Sequence, residues 1–388
     1  MHDDVCLFLS AIGANMVLLP NVEALCALED PYRADEESVH LFDAAMRELT
    51  AYHCVHTPGY SQWLDANDFD REAALPSDWS FLPPIFTNYF KRHLLISATG
   101  KDALELTSSG TTGQKSRMRY DGPSMLRAQS MVGSIFSRYG WVTDNEPCNY
   151  LLLSYEPAGA ITVGTAYTDQ FLCKFAPVNR VAYALRHNGV GNEFDPFGTI
   201  KALIDYAAEG LPVRIFGFPA FLWFTLERMR DMGLPALKLH PGSLVFLGGG
   251  WKTHADKAIS KALLHQRLYE QLGLPSQRCR DGYGAVEHPV PYVECQYHHF
   301  HVPVYSRAFI RHTATMMRQP YGEAGFLHLV SPYITSSPAH SVVMSDLAKL
   351  RPGATCGCGI QTDWFELLGR AGTSKSRSCA LAASELIQ

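Results

Sequence analysis

In "ESVHLFDAAMRELTAYHCVH", residues 37–56, apolar positions return at the spacing that lines one face of an α-helix. On this pattern the stretch 1–100 is read as mostly helical. From about 150 to 250 the pattern changes: short apolar runs, "YLLLSY", "VRIFGF" and "SLVFLGGG", alternate with helical stretches such as "DPFGTIKALIDYAAEG" and "PAFLWFTLERMRDMG". Strands that are apolar throughout, rather than at every second position, are what a sheet buried on both faces requires. The alternation therefore predicts an α/β core over 101–290. Glycines just after the strands, Gly217 and Gly248 to Gly250, mark sheet ends where ligands usually sit. From 291 to 368 strand signals between Pro and Gly turns predict a smaller β-rich lobe, and 369–388 reads as a hinge and tail.

Composition narrows the classes. The chain has 388 residues, 47% hydrophobic and 18% charged, with a formal net charge of -5. That is an ordinary globular balance, long enough for two or three domains. The charge argues against a general nucleic-acid grip and against a polybasic membrane contact. The apolar run "VCLFLSAIGANMVLLP" follows His2, Asp3 and Asp4 rather than lysines, and Asn15 interrupts it, so it reads as a buried helix and not as a signal peptide. No other stretch is long and uncharged enough to span a bilayer, so no membrane insertion is expected. With no export signal, the ten cysteines are expected to be reduced thiols in the cytoplasm. There is no internal repeat.

The stretch "LTSSGTTGQKSRMRYD", Leu106 to Asp121, carries candidate chemistry. Backbone N–H groups bared by glycine, together with short hydroxyls, approach phosphate oxygens closely, and a nearby cation neutralises them. A Walker A loop needs Gly directly before Lys, and here Gln114 separates Gly113 from Lys115. On the residues alone, a phosphate turn and a polar surface turn both stay open. The stretch resembles the phosphate loop of adenylate-forming enzymes, which activate a carboxylate with ATP to acyl-AMP and pyrophosphate and then pass the acyl group to a thiol or amine. The resemblance implies nucleotide contacts at Ser108, Ser109, Gly110, Thr111, Thr112, Gly113 and Lys115.

Three further stretches follow in that superfamily's order. "FLGGGWK" resembles its glycine-rich strand end, implying that Gly249 and Gly250 wall the adenine and acyl pockets. "DGYGAVEH" resembles its aromatic-Gly-x-Thr-Glu motif, implying Tyr283 and Gly284 against adenine and Glu287 on Mg²⁺. Val286 stands where the motif has threonine, and His288 is the candidate to replace that hydroxyl. "VVMSDLAKL" puts Asp346 where the ribose hydroxyls are held, and "FELLGRAGTSKSR" resembles the hinge motif, with Arg370 and Lys375 in place and Gly372 where the hinge has aspartate. Within the superfamily the chain most resembles the acyl-protein synthetases of bacterial bioluminescence, through "FTNYFKRHLLIS", "TSSGTTGQKSR", "GGGWK", "GYGAVEHPVPYVEC" and "CGCG". The resemblance spans essentially the whole chain; the phenylacetate-CoA ligase branch is next. It implies an adenylate-forming α/β core of layered sheets with a smaller β-rich lobe, the C-terminal domain reduced to a tail. Lys252, Lys115 and Lys375 are then the candidates for the lysine that other members carry on that domain.

Two sets of cysteines stand apart. "ECQYHHFH" (294–301) and "CGCG" (356–359) offer Cys295, Cys356, Cys358 and a histidine, preferably His301, as a four-ligand zinc set of structural type. The opposing reading is turn thiols beside a solvated histidine face. Cys379 lies near Lys375 and Arg377, cations that favour a thiolate. The family resemblance implies an acyl-carrying cysteine at such a position; an incidental tail thiol is the alternative. The expected activity is activation of a fatty or aryl carboxylic acid, with the acyl group passing to Cys379 and then to a reductase or carrier protein. Alternatives are an acyl- or aryl-CoA ligase using free CoA, and a nucleotide-binding protein without chemistry.

Overall fold

The computed structural model describes residues 19–71, 78–97, 103–108, 115–157, 171–189 and 191–371. The N-terminal apolar run lies almost wholly outside them. The described chain opens with helices α1 (Pro20–Cys26), α2 (Glu36–His56) and α3 (Tyr60–Asp65). Asp35 caps α2 by accepting from the Ser38 N–H at 2.8 Å, and Phe42, Met46, Leu49 and His53 form its buried stripe. This is the helix that the spacing over 37–56 predicts. A short strand β1 (Ile85–Phe86) runs into a 3₁₀ turn, Thr87–Lys91. Next come an antiparallel ribbon, β2 (Leu104–Thr107) with β3 (Arg117–Tyr120), and helix α4 (Gly122–Arg138), which Asp121 caps.

The α/β part comprises β4 (Cys148–Tyr155), β5 (Val178–His187), β6 (Asn192–Phe194), α5 (Pro196–Glu209), β7 (Val213–Gly217), α6 (Pro219–Asp231), β8 (Leu244–Leu247), α7 (Lys261–Leu272), β9 (Cys279–Ala285) and β10 (His288–Val293). Its strands form a seven-stranded sheet in the order β10-β9-β8-β7-β4-β5-β6, parallel from β5 to β9 and antiparallel at both edges. Along β4, Leu151 and Leu153 face α5 to α7, while Tyr150 and Leu152 face α4 with Ile135 and Phe136. Both faces are thus covered, which is why "YLLLSY" cannot alternate with polar residues.

The second sheet follows: β11 (Phe300–His301), β12 (Arg307–Arg311), β13 (Ala324–Val330), β14 (Ser341–Arg351) and β15 (Trp364–Arg370), ordered β11-β15-β14-β13-β12. Its named neighbours pair antiparallel, and β1 joins β14 in parallel. Leu25, Phe42 and Leu49 of the first helices share one core with Leu327, Leu329 and Val342 of this sheet. The first described helices and the antiparallel sheet therefore pack on each other. Gly369 and Arg370, read from sequence as the start of a hinge, are the last residues of β15. Among the described residues no helix is long and apolar enough to cross a membrane.

Candidate functional site

Parallel strands expose their C-terminal ends to a crevice, the usual ligand side of an open α/β sheet. Here β7 ends at Gly217, whose φ of +124° suits glycine; a Cβ there would lie 2.8 Å from the Leu153 carbonyl oxygen. The Gly248 N–H donates to the Gly217 carbonyl at 3.0 Å, so the ends of β7 and β8 are stitched together. Gly249 and Gly250 follow, both left-handed. One strand further on, Tyr283 of β9 donates its hydroxyl to Asp346 Oδ2 at 3.0 Å. Asp346 belongs to β14, so this bond ties the seven-stranded sheet to the antiparallel one. The Tyr283 ring packs with Tyr292, Phe300 and Phe365. Burial, and then the Asp346 charge, hold the phenol pKa well above its usual value, which keeps the hydroxyl a donor. Arg370 pairs in register with Asp346, its Nε 3.7 Å from Oδ1, but the side chain is mostly exposed and the attraction weak.

Glu287 follows the same strand and is 6% exposed. Burial raises its pKa, and the Ser116 hydroxyl, Glu287's own backbone N–H and then the charges of Arg370 and Lys91 oppose that rise. Beside it, Ser116 is buried with its hydroxyl turned to that carboxylate. Ser116 also closes the mouth of the Gly/Thr turn: the Ser108 N–H donates to its carbonyl at 3.0 Å, and its own N–H donates to Ser108 Oγ at 2.9 Å. The turn's inner residues, Ser109 to Gly113, lie outside the described residues, as do Gly372, Lys375 and Cys379; Lys115, at its foot, is exposed. Gly284 is exposed between Tyr283 and the partly buried Val286. Lys252 opens the 3₁₀ stretch Lys252–Lys257, and its side chain is outside the description. His288 does not face Glu287's surroundings as a substitute hydroxyl would. It is buried in the core with Nε2 2.9 Å from the Tyr292 hydroxyl, and burial pushes its pKa down to about 3.

Behind this wall lies a charged group that sequence reading missed. Lys261, at the start of α7, meets Asp281 Oδ2 at 2.7 Å and also the Glu294 carboxylate, which accepts from the Asp281 N–H at 2.9 Å. His298, at a positive φ of 64°, faces Glu294 at 3.3 Å. Asp281 lies on β9, and Glu294 directly follows its neighbour β10. Their partner is a lysine in a helical stretch, with no spacing that would reveal it.

The cysteines after β10 and between β14 and β15 converge. Ligand atoms of Cys295, His301, Cys356 and Cys358 all lie within 4.8 Å of one another, a group able to hold a metal ion. Cys295 Sγ and Cys356 Sγ are 3.5 Å apart, against about 3.8 Å for two sulfurs on one tetrahedral zinc. His301 Nδ1 faces the Thr362 carbonyl at 2.8 Å, so its proton belongs there and Nε2, 3.2 Å from Cys358 Sγ, keeps its lone pair. Backbone N–H groups of Tyr297 and Ile360 point at Cys295 and Cys358 sulfur, both at 3.4 Å, and Gly357 supplies the left-handed turn between the two cysteines. His299 also touches the group: its Nδ1 is 3.1 Å from Cys356 Sγ while the ring stacks on Trp364. His298 is turned away to Glu294.

Comparison with known proteins bears on this geometry. The sequence matches the family described as "Acyl-protein synthetase, LuxE" over residues 14–388. It is 25% identical over 369 residues to the long-chain-fatty-acid–luciferin-component ligase of Aliivibrio fischeri, covering 91% of this chain and 90% of that protein. Among solved structures, an open conformation of 2-hydroxyisobutyryl-CoA ligase in complex with 2-HIB-AMP and CoA superposes with a TM-score of 0.64 at 13% identity, over 88% of this chain and 76% of that one. The same ligase in its postadenylation state with R3-HIB-AMP gives 0.63 at 11% identity, over 88% and 69%. At such identities the likeness shows the fold: mixed α/β, as in these CoA ligases, over most of the chain.

Proposed function

This chain is a ligase of the LuxE acyl-protein synthetase family, and from that premise we propose that it activates a fatty acid with ATP and passes the acyl group to Cys379. The observation that carries the reading is the bond from Tyr283 to Asp346 with Glu287 buried alongside. It brings together stretches sixty residues apart in sequence that resemble the adenine, magnesium and ribose motifs of adenylate-forming enzymes. In this reading Tyr283 and Gly284 line the adenine, with Gly249 and Gly250 as the facing wall. Asp346 accepts from the ribose hydroxyls, and Arg370 stands beside it. The Ser108 to Gly113 turn and Lys115 hold the triphosphate, with the buried Ser116 hydroxyl beside Glu287 at the foot of the turn. Glu287 would ligate Mg²⁺, which when bound supplies charge neutralisation for the departing pyrophosphate. A divalent cation also fits a buried carboxylate that the protein alone neutralises only in part.

Cys379 is eight residues beyond Ala371, whose N–H donates to the Ser345 carbonyl at 2.9 Å, next to Asp346. Eight residues reach at most about 28 Å, so the thiol is tethered within range of an acyl-AMP held at Asp346. The acceptor after Cys379 is a reductase or carrier protein. The Cys295, His301, Cys356 and Cys358 group is read as a structural zinc site, since four protein ligands leave no position for substrate.

ATP–pyrophosphate exchange across a panel of carboxylic acids tests the activation step, and intact mass tests the carrier. Incubation with ATP and the preferred acid should give an adduct that hydroxylamine removes and Cys379→Ser abolishes, without any need for CoA. Exchange with no acyl adduct on the wild-type protein, or a product that forms only with CoA, would remove Cys379 from the mechanism.

A further inference from the structure

Two histidines reach the cysteine group where the chain enters β11. Side chains two residues apart in a strand share a face. Accordingly His299 and His301 both turn to sulfur, while Phe300 between them stacks on Phe365 beside Tyr283. Their surroundings separate their parts. His301 is fully buried, faces the Thr362 carbonyl with Nδ1 and presents the Nε2 lone pair within the group. His299 is not one of the four residues whose ligand atoms cluster, and it touches one sulfur, Cys356 Sγ, through Nδ1 at 3.1 Å. Its ring plane is set from outside. The ring stacks on Trp364 with centroids 3.7 Å and planes 14° apart. Trp364 Nε1 in turn donates at 3.1 Å to the hydroxyl of Thr355, the residue before Cys356.

Three thiolates around a divalent zinc ion leave an excess of negative charge on sulfur, and N–H donors aimed at the sulfurs offset it. Tyr297 and Ile360 aim backbone N–H groups at Cys295 and Cys358, both at 3.4 Å. We propose that His299 is a positioning residue of this site: its Nδ1–H donates to the Cys356 thiolate and holds that sulfur on the metal, with Trp364 as the plate that keeps the ring in line. The inference rests on the structural-zinc reading above. It gives two histidines of one segment opposite roles, a lone pair on the metal from His301 and a proton shared with sulfur from His299. A thiolate that already accepts an N–H bond is less open to the proton whose arrival frees it from a cation, so metal loss slows.

Zinc release from the full-length protein into a chromophoric chelator reads this bond in wild type, His299→Phe, His299→Asn and His301→Phe. Phenylalanine keeps the stack on Trp364 and removes the proton; asparagine restores an N–H near the Nδ1 position. His299→Phe should purify with the wild-type zinc content but release it about tenfold faster, and His299→Asn should recover most of the difference. His301→Phe should emerge without zinc. Release from His299→Phe within about twofold of wild type would overturn the assignment. Equally fast release from the Phe and Asn variants would do the same, since it marks packing rather than the proton. So would a His299→Phe variant purified without zinc, or a His301→Phe variant that keeps it, because either makes His299 a ligand. Wild-type protein that binds no zinc would instead bring down the zinc reading, and this inference with it.

Discussion

Acidification from pH 7 to pH 5 tests the frame that holds the site. His53, His288, His328 and His340 are fully buried. Burial holds all four imidazoles neutral: it lowers the pKa of His53 and His288 to about 3, and those of His328 and His340 well below 6.5. Their partners are suited to the neutral ring. His53 sits between the Thr57 and Ser97 hydroxyls and the Ile334 carbonyl and stacks on His340, which meets the Tyr60 hydroxyl. His328 faces the Ser341 hydroxyl and the Arg311 guanidinium, whose charge disfavours protonation further. Because each folded pKa lies below the unfolded value, this stabilisation is complete above about pH 6.5 and is lost as the pH falls through that point. For a folded pKa near 3, the fall from 7 to 5 costs about 2 kcal/mol, so His53 and His288 together cost about 4 kcal/mol. His328 and His340 add in the same direction. Glu287, whose pKa burial raises, opposes them by up to one proton. Urea midpoints at fixed ionic strength should fall steeply below pH 6.5, with at least two protons taken up on unfolding at pH 5, and His53→Gln should reduce that uptake by about one. Equal midpoints at pH 7 and 5, or an uptake unchanged by His53→Gln, would refute the argument.

Removing the Tyr283 hydroxyl with Tyr283→Phe leaves Asp346 without the bond that orients it; loss of a hydrogen bond to a charged group is worth roughly 1.5 kcal/mol, so KM for ATP in pyrophosphate exchange should rise about tenfold. Cys356→Ser should lower the zinc content of the purified protein, measured by plasma emission, from one per chain toward zero, with a fall in melting temperature; full zinc in the variant would count against Cys356 as a ligand. Lys261→Met strands two carboxylates, of which Glu294 is 2% exposed. Because Lys261 itself is partly exposed, a loss of about 2 kcal/mol in urea unfolding is expected rather than the full cost of a buried pair. A stability unchanged at pH 7 would show that His298 and the backbone already satisfy Glu294.

What the sequence disclosed and what it hid divide along a physical line. Local chemistry was legible. Asp195 and Gly210 bracket α5 as N-cap and left-handed C-cap, and the apolar runs of β4, β7 and β8 announce a sheet covered on both faces. The cysteine pair around Gly357 could be read as a paired-ligand turn because its spacing is itself the signal. Hidden was whatever depends on where distant segments meet. Lys261 finds Asp281 and Glu294 only after α7 docks, and no spacing encodes that. His288 looked free to help Glu287, yet it opens β10 with its ring turned into the core, against the Tyr292 hydroxyl. The pairing of α2 with the C-terminal sheet, through His53 and His340, joins residues 287 positions apart and has no local trace.

The joint between the two sheets explains why site and scaffold are hard to separate in this protein. Cys295 follows β10 of the seven-stranded sheet, while Cys356 and Cys358 sit in the connection from β14 to β15 of the antiparallel one. The cysteine–histidine group therefore spans the same joint as the bond from Tyr283 to Asp346 and the aromatic cluster of Tyr283, Phe300 and Phe365. Hydrogen bonds fix the Asp346 carboxylate only to the extent that β14 keeps its distance from β9, and a bond to a single hydroxyl cannot hold two sheets in register. A cation shared by both sides could, because each thiolate and the imidazole lose their partner together if the joint opens. The cluster needs no contact with substrate to matter for activity. Its effect would reach the nucleotide through the position of Asp346, as a change in ATP affinity rather than in the chemical step.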